Sequence, residues 1–207
     1  MLTIEKLIAD AKTTAVDSVA SVCDSVTLGS RFRRYFGANG TPYRSAEELF
    51  DLNAPVTKRV YAGLIRDPGR YMLRQGWIIM VRSGQTYGLN GQAMLLGSAH
   101  EGILGSDDLI RIIPNQAAID PGYLLVVLTH PTLGRPMVIR NAYGTSIPHL
   151  DPADVRAVPV PRFSARIERK IAELATESAR LRDEADAHEN AAAELAAKVI
   201  QDFTSKC

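Results

Sequence analysis

Only two of the 207 residues are cysteines, Cys23 and Cys207. That is too few for a disulfide framework or for the four ligands of a structural zinc site. A reducing compartment fits such a chain, and the cytoplasm is the expected location. No apolar run approaches the roughly 18 residues that a membrane helix needs, so no membrane association is expected. The first residues are amphipathic, with Leu2, Ile4, Leu7 and Ile8 set among Glu5, Lys6 and Asp10, where a signal peptide carries an apolar block. An excess of one charge is missing too. With 24 Lys and Arg against 23 Asp and Glu the net charge is +1, which excludes a blanket basic coat and makes any nucleic-acid face local.

Catalytic signatures are also scarce. The glycines of Ser83-Gly84-Gln85-Thr86-Tyr87-Gly88-Leu89-Asn90-Gly91 come without the Gly-Lys-Ser/Thr of a phosphate loop and without Gly-x-Gly-x-x-Gly spacing. His100, His130, His149 and His188 are scattered, no Gly-x-Ser-x-Gly elbow occurs, and neither cysteine has the context of a nucleophile. The sequence therefore reads as non-enzymatic, with no catalytic residue, metal ligand or cofactor of its own.

What is present is an ordinary globular composition, 46% hydrophobic and 23% charged, long enough to bury a core. Charge is unevenly distributed. Ten basic residues against four acidic ones between Arg31 and Arg82 give a local balance of +6, whereas seven basic and nine acidic residues follow from Ser164 onward. Arginine dominates the basic segment, and its planar fork suits phosphate oxygens and guanine edges. A solvated positive face is the plain alternative.

The chain divides at Pro161. Before it lie an N-terminal helix from about Thr3, an apolar strand over 77–81, a second strand near 94–96 and a third over 109–113. Asp120 is an N-cap with Pro121 at the first helical position, and His130-Pro131 stops that helix. Residues 155–160, between Asp-Pro and Pro-Arg, read as a last short strand. The mixture predicts an α+β domain over residues 1–162. Residues 163–207 read as one long helix, capped by Ser164 and free of Gly and Pro through Phe203. Ile167, Ile171, Leu174, Ser178, Leu181, Ala185, His188, Ala192, Leu195 and Val199 alternate steps of four and three, the seam of a left-handed coiled coil. Such a rod, about 60 Å long, outreaches its own globule, so dimerisation through Ile167, Ile171, Leu174, Leu181, Ala185, His188, Leu195 and Val199 is expected.

Candidate DNA contacts fall into two classes. Arg33, Arg34 and Arg44, clustered with Tyr43 about the Gly-Ala-Asn-Gly-Thr-Pro turn, are candidates for phosphate, and Arg31 and Tyr43 are expected DNA contacts beside them. Arg82, Ser83, Gln85, Thr86, Tyr87 and Asn90 of the glycine loop, with Thr145 and Ser146, offer donors and acceptors for base edges. A plain strand connection is the alternative reading of that loop.

Five segments in order carry a resemblance: Gly76-Trp77-Ile78-Ile79-Met80-Val81-Arg82-Ser83-Gly84, then Asp120-Pro121-Gly122-Tyr123-Leu124 with Leu128-Thr129-His130-Pro131, then Gly144-Thr145-Ser146-Ile147-Pro148-His149-Leu150, then Val158-Pro159-Val160-Pro161, and the long helix. Over nearly its whole length the chain resembles the specificity subunit of type I restriction-modification systems. It departs from that family's usual Gly-Asp at Gly76-Trp77, and from the usual Glu-Gln ahead of Ile171-Ala172. It also has one recognition domain and one long helix where full specificity subunits have two, so it looks like a half-subunit. The resemblance implies a non-catalytic target recognition domain that binds double-stranded DNA. It implies a partner DNA methyltransferase subunit carrying S-adenosylmethionine, a restriction subunit in some complexes, and a homodimer through the C-terminal helix. A coiled-coil adaptor that binds only protein is the competing function.

Overall fold

A computed structural model describes residues 13–51 and 57–204. The helix expected from about Thr3 and the residue Cys207 lie outside the described residues. The chain runs through β1 (Ala15–Ser18), α1 (Val19–Val22), β2 (Cys23–Leu28), β3 (Phe36–Arg44), α2 (Ala46–Phe50), β4 (Arg59–Val60), β5 (Ile78–Val81), β6 (Ala93–Leu95), β7 (Leu104–Gly105) and β8 (Leu109–Pro114). Helices α3 (Pro121–Thr129), α4 (Gly134–Ile139) and α5 (Pro152–Arg156) follow, then β9 (Pro159–Arg162) and the long α6 (Ala165–Thr204). The α+β class expected from the sequence is the one observed.

The central sheet has the order β2–β8–β5–β6 and is antiparallel throughout. All four residues of β5 are buried, which is why it reads as an unbroken apolar run instead of an alternating one. Ile78 and Met80 face one core with Ile110, Ile112, Tyr123, Leu124 and Leu128, whereas Ile79 joins a second core with Leu49, Leu73, Leu96 and Leu109. A smaller sheet, β4–β3–β7, and a third cluster containing Tyr43, Val60, Tyr71 and Leu104 adjoin the second core. The Gly-Ala-Asn-Gly-Thr-Pro segment, expected as a turn, is a wide bulge inside β3: Phe36 and Thr41 both pair with Val60.

Helix α3 starts as expected, with Asp120 accepting from the Gly122 N–H and Pro121 placed where no donor is needed. The strand expected over 155–160 is corrected. Asp151 caps a helix with Pro152 at its first position, so residues 152–156 are α5 and only 159–162 extend, pairing with β1. The same Asp-Pro signal begins both helices.

Helix α6 carries two stripes. Ala172 is buried and Ile171, Ala175 and Ala179 are half-buried against the globule. Gly122 makes this fit close, since a Cβ there would lie 2.5 Å from the Ala172 carbonyl oxygen. At the base of α6, Arg162 donates to Asp17 (2.8 Å) and, bidentately, to Glu168 (2.9 Å each), and Glu168 also accepts from the Phe163 N–H. Further along, Asp183 accepts from the Ala99 N–H (3.1 Å) and Ser98 Oγ (3.3 Å). His100 sits beside it, its pKa lowered by burial and only partly restored by Asp183. Beyond Asp186 every described residue of α6 is exposed. The heptad seam lies on a different face from the docked stripe: Ile167, Leu174, Leu181, Leu195 and Val199 are between 48% and 68% exposed. Ser178, Ala185, His188 and Ala192 are exposed with them. Ile171 departs from the expected seam, because it packs on the main core beside Phe163. No helix among the described residues is long and apolar enough to cross a membrane.

Candidate nucleic-acid interface

Three segments far apart in sequence converge on one cleft of about 930 Å³, whose walls include Arg31, Arg34, Arg82, Ser83, Ile147 and His149. The arginine segment is laid against Tyr71, whose hydroxyl donates to the Ser30 carbonyl (2.9 Å) and whose ring meets Phe32 edge-on at 4.6 Å. Arg31 and Arg33 are exposed, with Arg33 stacked over Tyr35 at 5.1 Å. Arg34 is different. It pairs with the buried carboxylate of Asp107, and its Nε donates to the Tyr43 hydroxyl (2.8 Å). Its guanidinium is therefore half-committed to the protein.

The glycine loop and the 144–149 loop are stapled together. Gly84 N–H donates to the Pro148 carbonyl (3.1 Å), Leu150 N–H to the Arg82 carbonyl (3.0 Å), and Gln85 Nε2 to the Ser146 carbonyl (3.1 Å). From α4, Arg135 donates to the carbonyls of Thr86 (3.1 Å) and Gly88 (2.8 Å). Gly84 and Gly91 lie at φ +139° and +71°, conformations that disfavour a side chain. The result is a rigid platform on which Gln85, Thr145 and Ser146 are exposed, Thr86 is half-buried and Tyr87 is 89% exposed. At its edge Ser83 Oγ donates to Asp108 Oδ1 (2.8 Å) and lies 2.6 Å from His149 Nδ1, and Arg82 pairs with the same Asp108 oxygen at 3.3 Å.

Three expected contacts are corrected. Tyr43 is 4% exposed and belongs to a hydrophobic cluster, so it supports Arg34 and offers no face to a ligand. Asn90 is wholly buried, with Nδ2 donating to the carbonyls of Arg82 (2.8 Å) and Pro148 (3.0 Å), so it braces the two loops and reads nothing. Arg44 does not join Arg31 and Arg33. It donates to the Glu48 carbonyl (3.1 Å) and lines a separate cavity of about 390 Å³ beside Arg182, Asp183 and Asp186 of α6. Conversely, Asp107, Asp108, Ile147 and His149 were not singled out as site residues, since nothing local in the sequence joins them.

The Ser83–His149–Asp108 group has the wrong order for a nucleophile. The carboxylate holds the hydroxyl and not the imidazole, so the ring is not oriented as a base toward Ser83. The Cys23 thiol is pushed up to about 12 by burial and by Asp24, which keeps it protonated and unreactive at neutral pH. Among the described residues no group of His, Cys, Asp and Glu could hold a metal ion.

No family model matches the sequence, and no curated protein does. Solved structures do match. The type I restriction-modification S subunit from M. genitalium superimposes with a TM-score of 0.52 at 12% identity, over 80% of this chain and 39% of its own. The HsdS subunit from Thermoanaerobacter tengcongensis gives 0.53 at 15% identity, over 89% and 45%. The fold is that of a type I specificity subunit. A chain from a structural study of complex assembly and conformational transition in the type I R-M system agrees, at 0.55 and 15% identity over 90% and 47%. The chain thus spans between 39% and 47% of the length of these specificity-subunit structures. The fold expected from the five ordered segments is the fold found.

Proposed function

We propose that this chain is a sequence-specific DNA-binding specificity subunit that directs a partner adenine methyltransferase, and in some complexes a restriction subunit, to a bipartite site. The observation that carries this reading is a convergence on the specificity-subunit fold. Arg31 and Arg34, Arg82 and Ser83 at the start of the glycine loop, and Ile147 and His149 of the 144–149 loop line one cleft. Arg33, Gln85, Thr145 and Ser146 are exposed on the segments that form it, so phosphate-positioning and base-reading groups are carried by neighbouring segments. Methyl transfer from S-adenosylmethionine belongs to the partner chain, and this chain supplies recognition in the cytoplasm without catalysis of its own. Two copies pair through the exposed seam of α6. An antiparallel pair places the recognition domains at opposite ends, makes the recognised sequence an interrupted palindrome, and lets the rod set the gap.

A salt titration tests the DNA reading. Affinity for duplex falls steeply as ionic strength rises, and Arg31→Ala or Arg33→Ala each weakens binding to all duplexes alike and lowers the slope by about one. A salt-independent interaction, or a chain that binds no duplex with or without a methyltransferase, favours the protein-only adaptor instead.

A further inference from the structure

We propose that His149 reads the exocyclic amine of an adenine or cytosine through the lone pair on its Nε2; this rests on the DNA reading above. The argument starts from which atoms can donate. The Asp108 carboxylate only accepts, so its 2.8 Å contact with Ser83 Oγ uses the hydroxyl's single proton. The 2.6 Å contact between Ser83 Oγ and His149 Nδ1 then requires the proton to sit on nitrogen. A one-way chain results, Nδ1–H to Oγ–H to carboxylate, and the neutral ring is left with Nε2 as an acceptor. The carboxylate at the far end, shared with Arg82, fixes the direction.

The ring is also held in place. The His149 N–H donates to the Tyr143 carbonyl (2.7 Å), the Tyr143 N–H donates back (3.0 Å), and the Tyr143 ring meets the imidazole edge-on at 6.1 Å. His149 is half-buried in the cleft wall, and no hydrogen bond from another described residue reaches Nε2. The charged groups around it are Asp108 with Arg82, Asp107 with Arg34, and Arg31. In the major groove an acceptor matches adenine N6 or cytosine N4 and meets only acceptors on guanine and on the thymine edge.

The test uses the full chain in two measurements. Nitrogen NMR of the free protein shows the Nδ1–H tautomer at His149; an Nε2–H tautomer overturns the inference whatever the DNA does. Selection from a random duplex library then gives adenine or cytosine at one position. His149→Ala lowers discrimination at that position about tenfold and leaves the others intact. A chain that selects a sequence unaltered by His149→Ala overturns the inference alone. A chain that selects nothing overturns the DNA reading and the inference with it. The tautomer measurement in the unmodified chain needs no variant to fold.

Discussion

Replacing Leu174 and Leu181 together by Asp breaks the proposed α6 pair into monomers while the globular part melts as before. The two leucines are 68% and 49% exposed, and neither lies on the stripe of α6 that packs against the globule, so their loss removes nothing from the chain's own core. In a pair of α6 helices they are seam residues that fill the gaps of the facing helix. Four leucines per dimer, at about 1.5 kcal/mol or more each, sum to about 6 kcal/mol, which weakens association about ten-thousandfold. Four carboxylates forced into an apolar seam add to that. Sedimentation at micromolar concentration reads the change directly. A parent chain that is already monomeric, alone and with DNA and methyltransferase, contradicts the pairing.

The second large effect is on stability. Arg111 is 2% exposed, inside β8 between Ile110 and Ile112. It donates through one nitrogen to the Leu109 carbonyl (2.9 Å) and through another to the carbonyls of Tyr71 (3.3 Å), Gly105 (3.3 Å) and Ser106 (3.1 Å), with the Tyr71 ring 5.5 Å from the guanidinium. Burial lowers its pKa to about 10, so it keeps its charge at neutral pH. The residue ties the central sheet to the segment that carries Asp107 and Asp108 and to the Tyr71 platform under the arginine segment. Arg111→Met keeps much of the volume but leaves buried carbonyls short of a donor, so the chain loses about 3 kcal/mol of stability. The midpoint of urea unfolding falls accordingly. An unchanged midpoint would mean that these carbonyls find other partners at no cost.

These three residues mark the limits of reading the sequence. The exposed apolar stripe of α6 was legible because Leu174, Leu181 and Leu195 are large and strictly spaced, so hydrophobic periodicity registers. The docked stripe on the same helix was not, because Ala172, Ala175 and Ala179 carry little periodic signal and Asp183 is polar. Arg111 is invisible as a buried residue, since a charged side chain in an apolar strand reads as pointing to solvent until its carbonyl partners are known. At the site, loop chemistry singled out the glycine loop and Thr145-Ser146, and the fold brings them together. Loop chemistry could not separate Asn90, a brace, from Gln85, an exposed donor, because that distinction is made by Pro148 some 58 residues away. His149 and Asp108 became site residues only through the pairing of distant strands and loops. Asp151-Pro152 is a plainer miss: the cap that announced α3 was present there and the short apolar run after it outweighed it.

The most direct test of DNA-directed specificity is to map adenine methylation across the genome of the host with and without the gene for this chain. The expected result is methylation at a bipartite sequence with a fixed gap, palindromic if the chain pairs with itself, that disappears on deletion and returns with the gene. A methylation pattern that is the same in both strains would contradict the central claim.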